Sequence, residues 1–317
     1  MTHVTGAPAA TEGAGPRAMA ITCRDGYRLN GRLWRPDTCR APVRGSVVVN
    51  PATGVRARYN RAYARFLAER GFAVLTYDYR GIGDSRPARL RGCGIRWRDW
   101  GELDFDAAVR WIRDREAGPL MVVGHSFGGF LPDFAEAAGA VDRILTVGAQ
   151  FACRHDYRAV DRLEMIAKWH LLMPSVTAAM GYFPGHRLGW IEDLPAGVAY
   201  EWAFRGRRME ASYPAADRPA LLARFAAVRA PILAVGVPDD PFGTPAAIRR
   251  GLGYYVSSPR IEAQLTPSAI GAEAPGHFGL FNARRSGRFW TDTLRWLGDG
   301  HNPWPEAAID PGPPIPA

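Results

Sequence analysis

Apolar residues in this chain gather in short unbroken runs, separated by stretches with helical spacing. The run Leu120-Met121-Val122-Val123 leads straight into Gly124-His125-Ser126-Phe127-Gly128-Gly129. Such a run suits a strand buried on both faces of a parallel sheet. Comparable runs predict central strands at 45–50, 72–77, 143–148 and 231–237, and residues 260–266 read as the last strand. Residues 18–23 and 27–34 flank Asp25-Gly26, a hairpin signal. Between the strands, apolar positions repeat at helical spacing. Residues 59–70 carry Tyr63, Phe66 and Leu67, and residues 100–115 carry Leu103, Ala107, Trp111 and Ile112. Further helices are expected over 246–255, opened by Pro245, and over 285–297. Strand and helix thus alternate up to residue 140, the βαβ rhythm of an α/β fold whose parallel sheet has helices on both faces.

The rhythm breaks over residues 151–228. This stretch holds Trp169, Tyr182, Phe183, Trp190, Tyr200, Trp202, Phe204 and Tyr213, cut by prolines, with no central strand. An insertion of this length between sheet strands is usually functional. It reads as a mostly helical cap over the end of the sheet where Ser126 sits. The expected organisation is a core of residues 18–150 and 229–300 and a cap of 151–228. Residues 1–17 read as a disordered leader and 301–317 as a flexible, Pro-rich tail. No internal repeat is visible.

With 317 residues the chain can bury a large core. The formal charge of +9 comes almost wholly from scattered arginines; Lys168 is the single lysine. Without a basic run or a stacking motif, nucleic-acid binding is not expected. Cys23, Cys39, Cys93 and Cys153 form no Cys-X-X-Cys pair and read as free thiols of a reducing cytoplasm. The first residues lack the apolar segment of a signal peptide, and no apolar run is long enough to span a bilayer. A cytoplasmic location follows as the expectation.

Gly-X-Ser-X-Gly between an apolar strand and a predicted helix places a serine on a sharp turn, with Gly124 and Gly128 leaving room on either side. The first free N–H groups of that helix would lie beside the hydroxyl, where they can stabilise an oxyanion. A serine nucleophile needs a base, and the base an orienting acid. Loops at the C-terminal ends of parallel strands supply such groups. Asp239 and Asp240 follow one strand directly, and His277 lies in the Gly-flanked loop after the last one. The chain order is then Ser, Asp, His, with either aspartate available. His125 is expected to face away from the serine hydroxyl, and Asp78 and Asp84 to fix the Arg80 loop. His155, His170 and His186 are too scattered for a metal site, and no cofactor is implied.

These features resemble capped α/β-hydrolases of the serine aminopeptidase-like and monoacylglycerol-lipase-like branch. The resemblance covers about residues 18–298 and rests on the Ser126 elbow, residues 78–85, residues 239–245 and Gly276-His277-Phe278-Gly279. It is closer to a bacterial group with an Ala-Thr-Gly-Val loop (here 52–55) and a Gly-Tyr-Phe-Pro-Gly cap segment (here 181–185). The resemblance implies an α/β-hydrolase fold with Ser126 as nucleophile, His277 as base and Asp240 as acid. Asp239 is the rival acid; the carboxylate not used would cap the following helix. Phe127 N–H is implied as one oxyanion donor. The other comes from the loop after residues 46–50, where relatives often carry His-Gly. Here Pro51 has no N–H, which leaves Ala52, with Thr53 next. The implied activity is hydrolysis of a small ester, less readily an amide, through an acyl-enzyme. The aromatic cap suggests an apolar acyl or alcohol part. An acyltransferase using the same intermediate and a non-catalytic binding protein are the alternatives.

Overall fold

The computed structural model describes residues 15–37 and 42–314. Cys39 and most of the expected leader lie outside them. The described residues open with the hairpin β1 (Arg17–Thr22) and β2 (Arg28–Trp34). Next come β3 (Gly45–Asn50), α1 (Arg61–Ala68), β4 (Phe72–Tyr77), α2 (Asp106–Arg113), β5 (Leu120–His125) and β6 (Arg143–Val147). Residues 151–228 hold α3 (Arg162–Ile166), α4 (Met173–Met180), the pair β7 (Tyr182–Phe183) and β8 (Leu194–Pro195), α5 (Ala196–Ala203) and α6 (Arg218–Ala227). The chain then forms β9 (Ile232–Gly236), α7 (Pro245–Leu252), β10 (Arg260–Gln264), α8 (Pro267–Ile270), α9 (Phe289–Asp299) and β11 (Ala308–Ile309).

The strands form a nine-stranded sheet in the order β1-β2-β4-β3-β5-β6-β9-β10-β11. From β4 to β10 all neighbours run parallel, while β1, β2 and β11 add antiparallel edges. This is the α/β-hydrolase arrangement that the sequence suggested. The unbroken apolar runs serve two faces at once. Val47, Val49, Met121, Val123, Leu233 and Val235 enter one core with Tyr63 and Leu67 of α1 and Phe289 and Trp296 of α9. Val48, Leu120, Val122, Ile232 and Ala234 enter the other with Ala108 and Ile112 of α2, Phe225 of α6 and Ile248 of α7. α6 packs Phe225 on Phe130 and Phe134 behind the elbow, on the flank of the sheet.

Two elements depart from the pattern. The segment after Ser126 is not a continuous helix. It is a chain of 3-10 turns at Ser126–Gly129, Leu131–Phe134 and Glu136–Ala140. Gly128 and Gly129 each cost about 1 kcal/mol against alanine in a helix, and Pro132 removes a donor. Nor is the chain beyond residue 301 free of the fold. Trp304 is buried, its ring stacked on Phe289 with centroids 5.6 Å apart, and its Nε1 donates to Asp292 Oδ2 at 3.2 Å. Ala308 and Ile309 then pair with Ala263 and Glu262, covering the edge of β10. The surrounding prolines hide this from periodicity, because a two-residue strand leaves no alternation to read.

If the Trp304 ring anchors this segment, Trp304→Ala removes a buried aromatic side chain and its stack. Urea unfolding should show a loss of about 3 kcal/mol. A loss below about 0.5 kcal/mol, as for an ordinary surface change, would mean that the segment contributes no anchor.

Candidate active site

β5 delivers the serine. Ser126 takes φ +54°, a conformation that a non-glycine residue holds only when its surroundings impose it. The imposition is visible in its neighbours. A Cβ on Gly124 would lie 2.3 Å from Gly129 Cα, and one on Gly128 would lie 2.5 Å from Pro51 O. The turn therefore closes onto itself on one side and onto the loop after β3 on the other. Only glycine permits either approach. A 3-10 turn over Ser126–Gly129, rather than an extended helix, follows the serine.

Parallel pairing of β5, β6, β9 and β10 brings the loops at their C-terminal ends side by side. Asp240 and His277 meet there, with 2.7 Å between Asp240 Oδ2 and His277 Nδ1. The other oxygen of Asp240 accepts the N–H groups of Phe242 and Gly243, each at 2.8 Å. Burial alone would raise the Asp240 carboxyl. The facing imidazole and those N–H groups outweigh it and hold the group below the ordinary carboxylate range. An ionised carboxylate can only accept, so Nδ1 carries the proton and a neutral His277 leaves Nε2 with its lone pair. Asp239 does not cap α7; Thr244 does, accepting from Ala247 N at 3.2 Å. Asp239 instead accepts the N–H of Gly276 at 2.8 Å and so holds the histidine loop. Gly148 closes the back of the pair, where a Cβ would come 2.7 Å from Asp240 Oδ2.

His125 faces the same loop. Its Nε2 lies 2.7 Å from the His277 carbonyl oxygen, which can only accept, so Nε2 bears the proton. The ring packs on Phe281 and Phe278, and its Nδ1 is buried without a partner. Burial, reinforced by the neighbouring His277, pushes its pKa down to about 3. Neutral His125 is thus a fixed donor.

The loop after β3 is pinned to the elbow. Asn50 Nδ2 donates to Gly128 O at 3.1 Å while Tyr77 OH donates to Asn50 Oδ1 at 2.9 Å. Tyr79 OH holds Pro51 O at 2.9 Å. Ala52 and Thr53 follow, both buried, and neither N–H has an acceptor among the described residues. Trp97 bridges the two sides, its ring on Phe127 with centroids 3.8 Å apart and its Nε1 donating to Thr53 Oγ1 at 3.1 Å. Arg80 is held by Asp104 and Asp25 rather than by the aspartates beside it in sequence. Asp78 accepts the N–H groups of Ala57 and Asp84.

Ser126, Asp240 and His277 are all buried. Over them, Trp202 of α5 stacks between Trp97 and Trp169, and Trp169 meets Phe242, whose ring lies 4.9 Å from that of His277. These aromatics link residues 151–228 to the ring of His277 through Phe242. Gln150 is a residue that sequence reasoning passed over. Its Nε2 donates to Ser126 Oγ at 3.4 Å, and its Oε1 accepts from Ala152 N. No Ser126–His277 hydrogen bond occurs among the described residues. Gln150 lies just past the end of β6, beside the elbow strand, and that position was the available signal. Cys23, Cys93 and Cys153 are free thiols, away from the dyad contacts. Among the described residues no group of His, Cys, Asp and Glu is arranged to hold a metal, and no helix is long and apolar enough to cross a membrane.

Comparison with known proteins defines the class. Residues 26–289 match the alpha/beta hydrolase family, and the chain belongs to it. No curated protein matches it in sequence. Among solved structures it is similar to DcsB in complex with its substrate analogue, with TM-score 0.60 and 16% identity over 90% of this chain and 99% of that one. The Pyrococcus furiosus esterase Pf2001 gives TM-score 0.57 and 14% identity over 94% and 97% of the two chains. The alpha/beta hydrolase GrgF from Penicillium sp. sh18 gives TM-score 0.57 and 18% identity over 89% and 98%. At such identities the likeness is one of fold.

The depressed pKa of His125 carries a sign. Below the unfolded value of about 6.5 the unfolded chain takes up a proton that the folded ring refuses, so folding stability falls as pH drops toward about 3. His125→Asn should reduce this slope between about pH 6 and pH 4 by up to about 1.4 kcal/mol per pH unit in urea unfolding. Parallel curves for the two proteins would contradict a neutral buried His125.

Proposed function

We propose that this protein is a serine hydrolase of small carboxylic esters, and less readily of amides. Ser126 Oγ attacks the carbonyl carbon as His277 Nε2 takes its proton. Asp240 holds the imidazole in the required tautomer and stabilises its cation. The N–H groups of Phe127 and Ala52 receive the oxyanion. Collapse of the tetrahedral species breaks the ester C–O bond, and His277 passes its proton to the departing alcohol. Water then adds to the acyl-enzyme, again losing a proton to His277, which returns it to Ser126 as the acid leaves. The observation that carries this reading is the Asp240–His277 hydrogen bond of 2.7 Å beside a serine held at φ +54°. For attack, the hydroxyl must donate to His277 Nε2, which its acceptance from Gln150 does not prevent. Structural likeness to an esterase fold is in keeping with this chemistry.

Kinetics on 4-nitrophenyl acetate and butyrate test the roles. Ser126→Ala should lower kcat by at least about 10³-fold and Asp240→Asn by about 10⁴-fold, with circular dichroism unchanged. Asp239→Asn disturbs only the loop anchor and should cost about tenfold or less. Equal losses at Asp239 and Asp240 would remove Asp240 from its assigned role, and full activity of Ser126→Ala would remove the mechanism.

A further inference from the structure

A cleft of about 740 Å³ is lined by the loop after β3, the start of α1 and the β7–β8 connection. Its lining includes Gly54 and Val55, just past Ala52, and Phe278, whose ring lies 5.0 Å from that of His277. Trp190 and Ile191 give it an apolar wall. Three contacts fix its shape. Glu192 N donates to Gly54 O at 2.8 Å, Arg56 pairs with Glu192 at 2.8 Å, and Tyr59 OH donates to Phe278 O at 2.9 Å. The lining also carries three arginines and Glu192. Arg56 is neutralised by Glu192, but Arg58 and Arg61 line the cleft with no ion pair or side-chain hydrogen bond among the described residues. Behind the apolar wall, the Lys168 ammonium sits 4.2 Å from the Trp190 ring centroid and adds positive potential. The larger hollow of about 960 Å³ behind the same arginines borders neither the Ala52 loop nor Phe278.

We propose that this cleft receives the non-reacting end of the substrate, and that Arg58 and Arg61 bind a carboxylate there. The preferred substrate is then an ester with a short apolar body ending in a carboxylate, on either side of the scissile bond. Planar guanidinium forks match a carboxylate geometrically. Arg58 and Arg61 are exposed, so solvent and salt screen part of the attraction, and the effect to expect is about tenfold in kcat/KM. This inference rests on the ester-hydrolase reading.

Matched esters test it. One pair puts the charge on the acyl part: 4-nitrophenyl hydrogen glutarate against 4-nitrophenyl pentanoate. The other puts it on the alcohol: 4-acetoxybenzoate against 4-methylphenyl acetate. The charged member of at least one pair should be preferred by about tenfold in kcat/KM at low salt. That ratio should collapse toward one in Arg58→Gln/Arg61→Gln and shrink with added salt. Turnover of the neutral esters with no charge preference, or a preference that survives the double substitution, overturns the inference and leaves the hydrolase reading standing. Failure to turn over any ester counts against the hydrolase reading itself. Calorimetry then decides the inference separately, using the charged esters with Ser126→Ala protein. Absence of millimolar binding, or binding unaltered by the double substitution, overturns it.

Discussion

The hydrogen bond between Asp240 Oδ2 and His277 Nδ1 joins loops 37 residues apart, and much of the surrounding architecture maintains it. A carboxylate this deeply buried is costly unless its oxygens are satisfied. Phe242 and Gly243 satisfy one oxygen and the imidazole the other. The histidine loop is held in turn at adjacent residues, by Asp239 at Gly276 N and by His125 at the His277 carbonyl. His125 is the residue just before the serine. One peptide bond therefore links the group that positions the imidazole to the hydroxyl the imidazole would activate. Close glycine contacts at positions 124, 128 and 148 leave these parts little room to drift apart.

A second set of contacts fixes the loop after β3 against the elbow. Asn50, Tyr77 and Tyr79 form a buried polar network in which Pro51 contributes its carbonyl, although it can offer no N–H. The N–H groups of the next residues, Ala52 and Thr53, have no acceptor among the described residues. Trp97 carries the order upward: it stacks on Phe127, bonds to Thr53 and meets Trp202 of the cap.

The central strands were legible because burial on both faces leaves unbroken apolar runs, as at residues 45–50 and 120–123. The elbow was legible because its glycines have steric causes that composition alone reveals. Asp239 and Asp240 were not separable from residues alone, since they are adjacent carboxylates and only the tertiary position of His277 distinguishes them. The roles of Asp104 and Asp25 around Arg80 were invisible for the same reason: their partners lie far away in sequence. The turns after Ser126 ran against a helical reading because Gly128, Gly129 and Pro132 override the apolar spacing. The Trp304 anchor lay within a Pro-rich stretch whose composition resembles that of unstructured tails.

The central claim is that this arrangement activates Ser126 as a nucleophile. Intact-mass spectrometry after exposure to a fluorophosphonate tests it most directly, because phosphonylation needs an activated hydroxyl and an oxyanion site but no knowledge of the substrate. A single adduct is expected on the wild-type protein, mapped to Ser126 and absent from Ser126→Ala. A folded wild-type protein that stays unmodified at saturating probe, or an adduct that persists in Ser126→Ala, would contradict it.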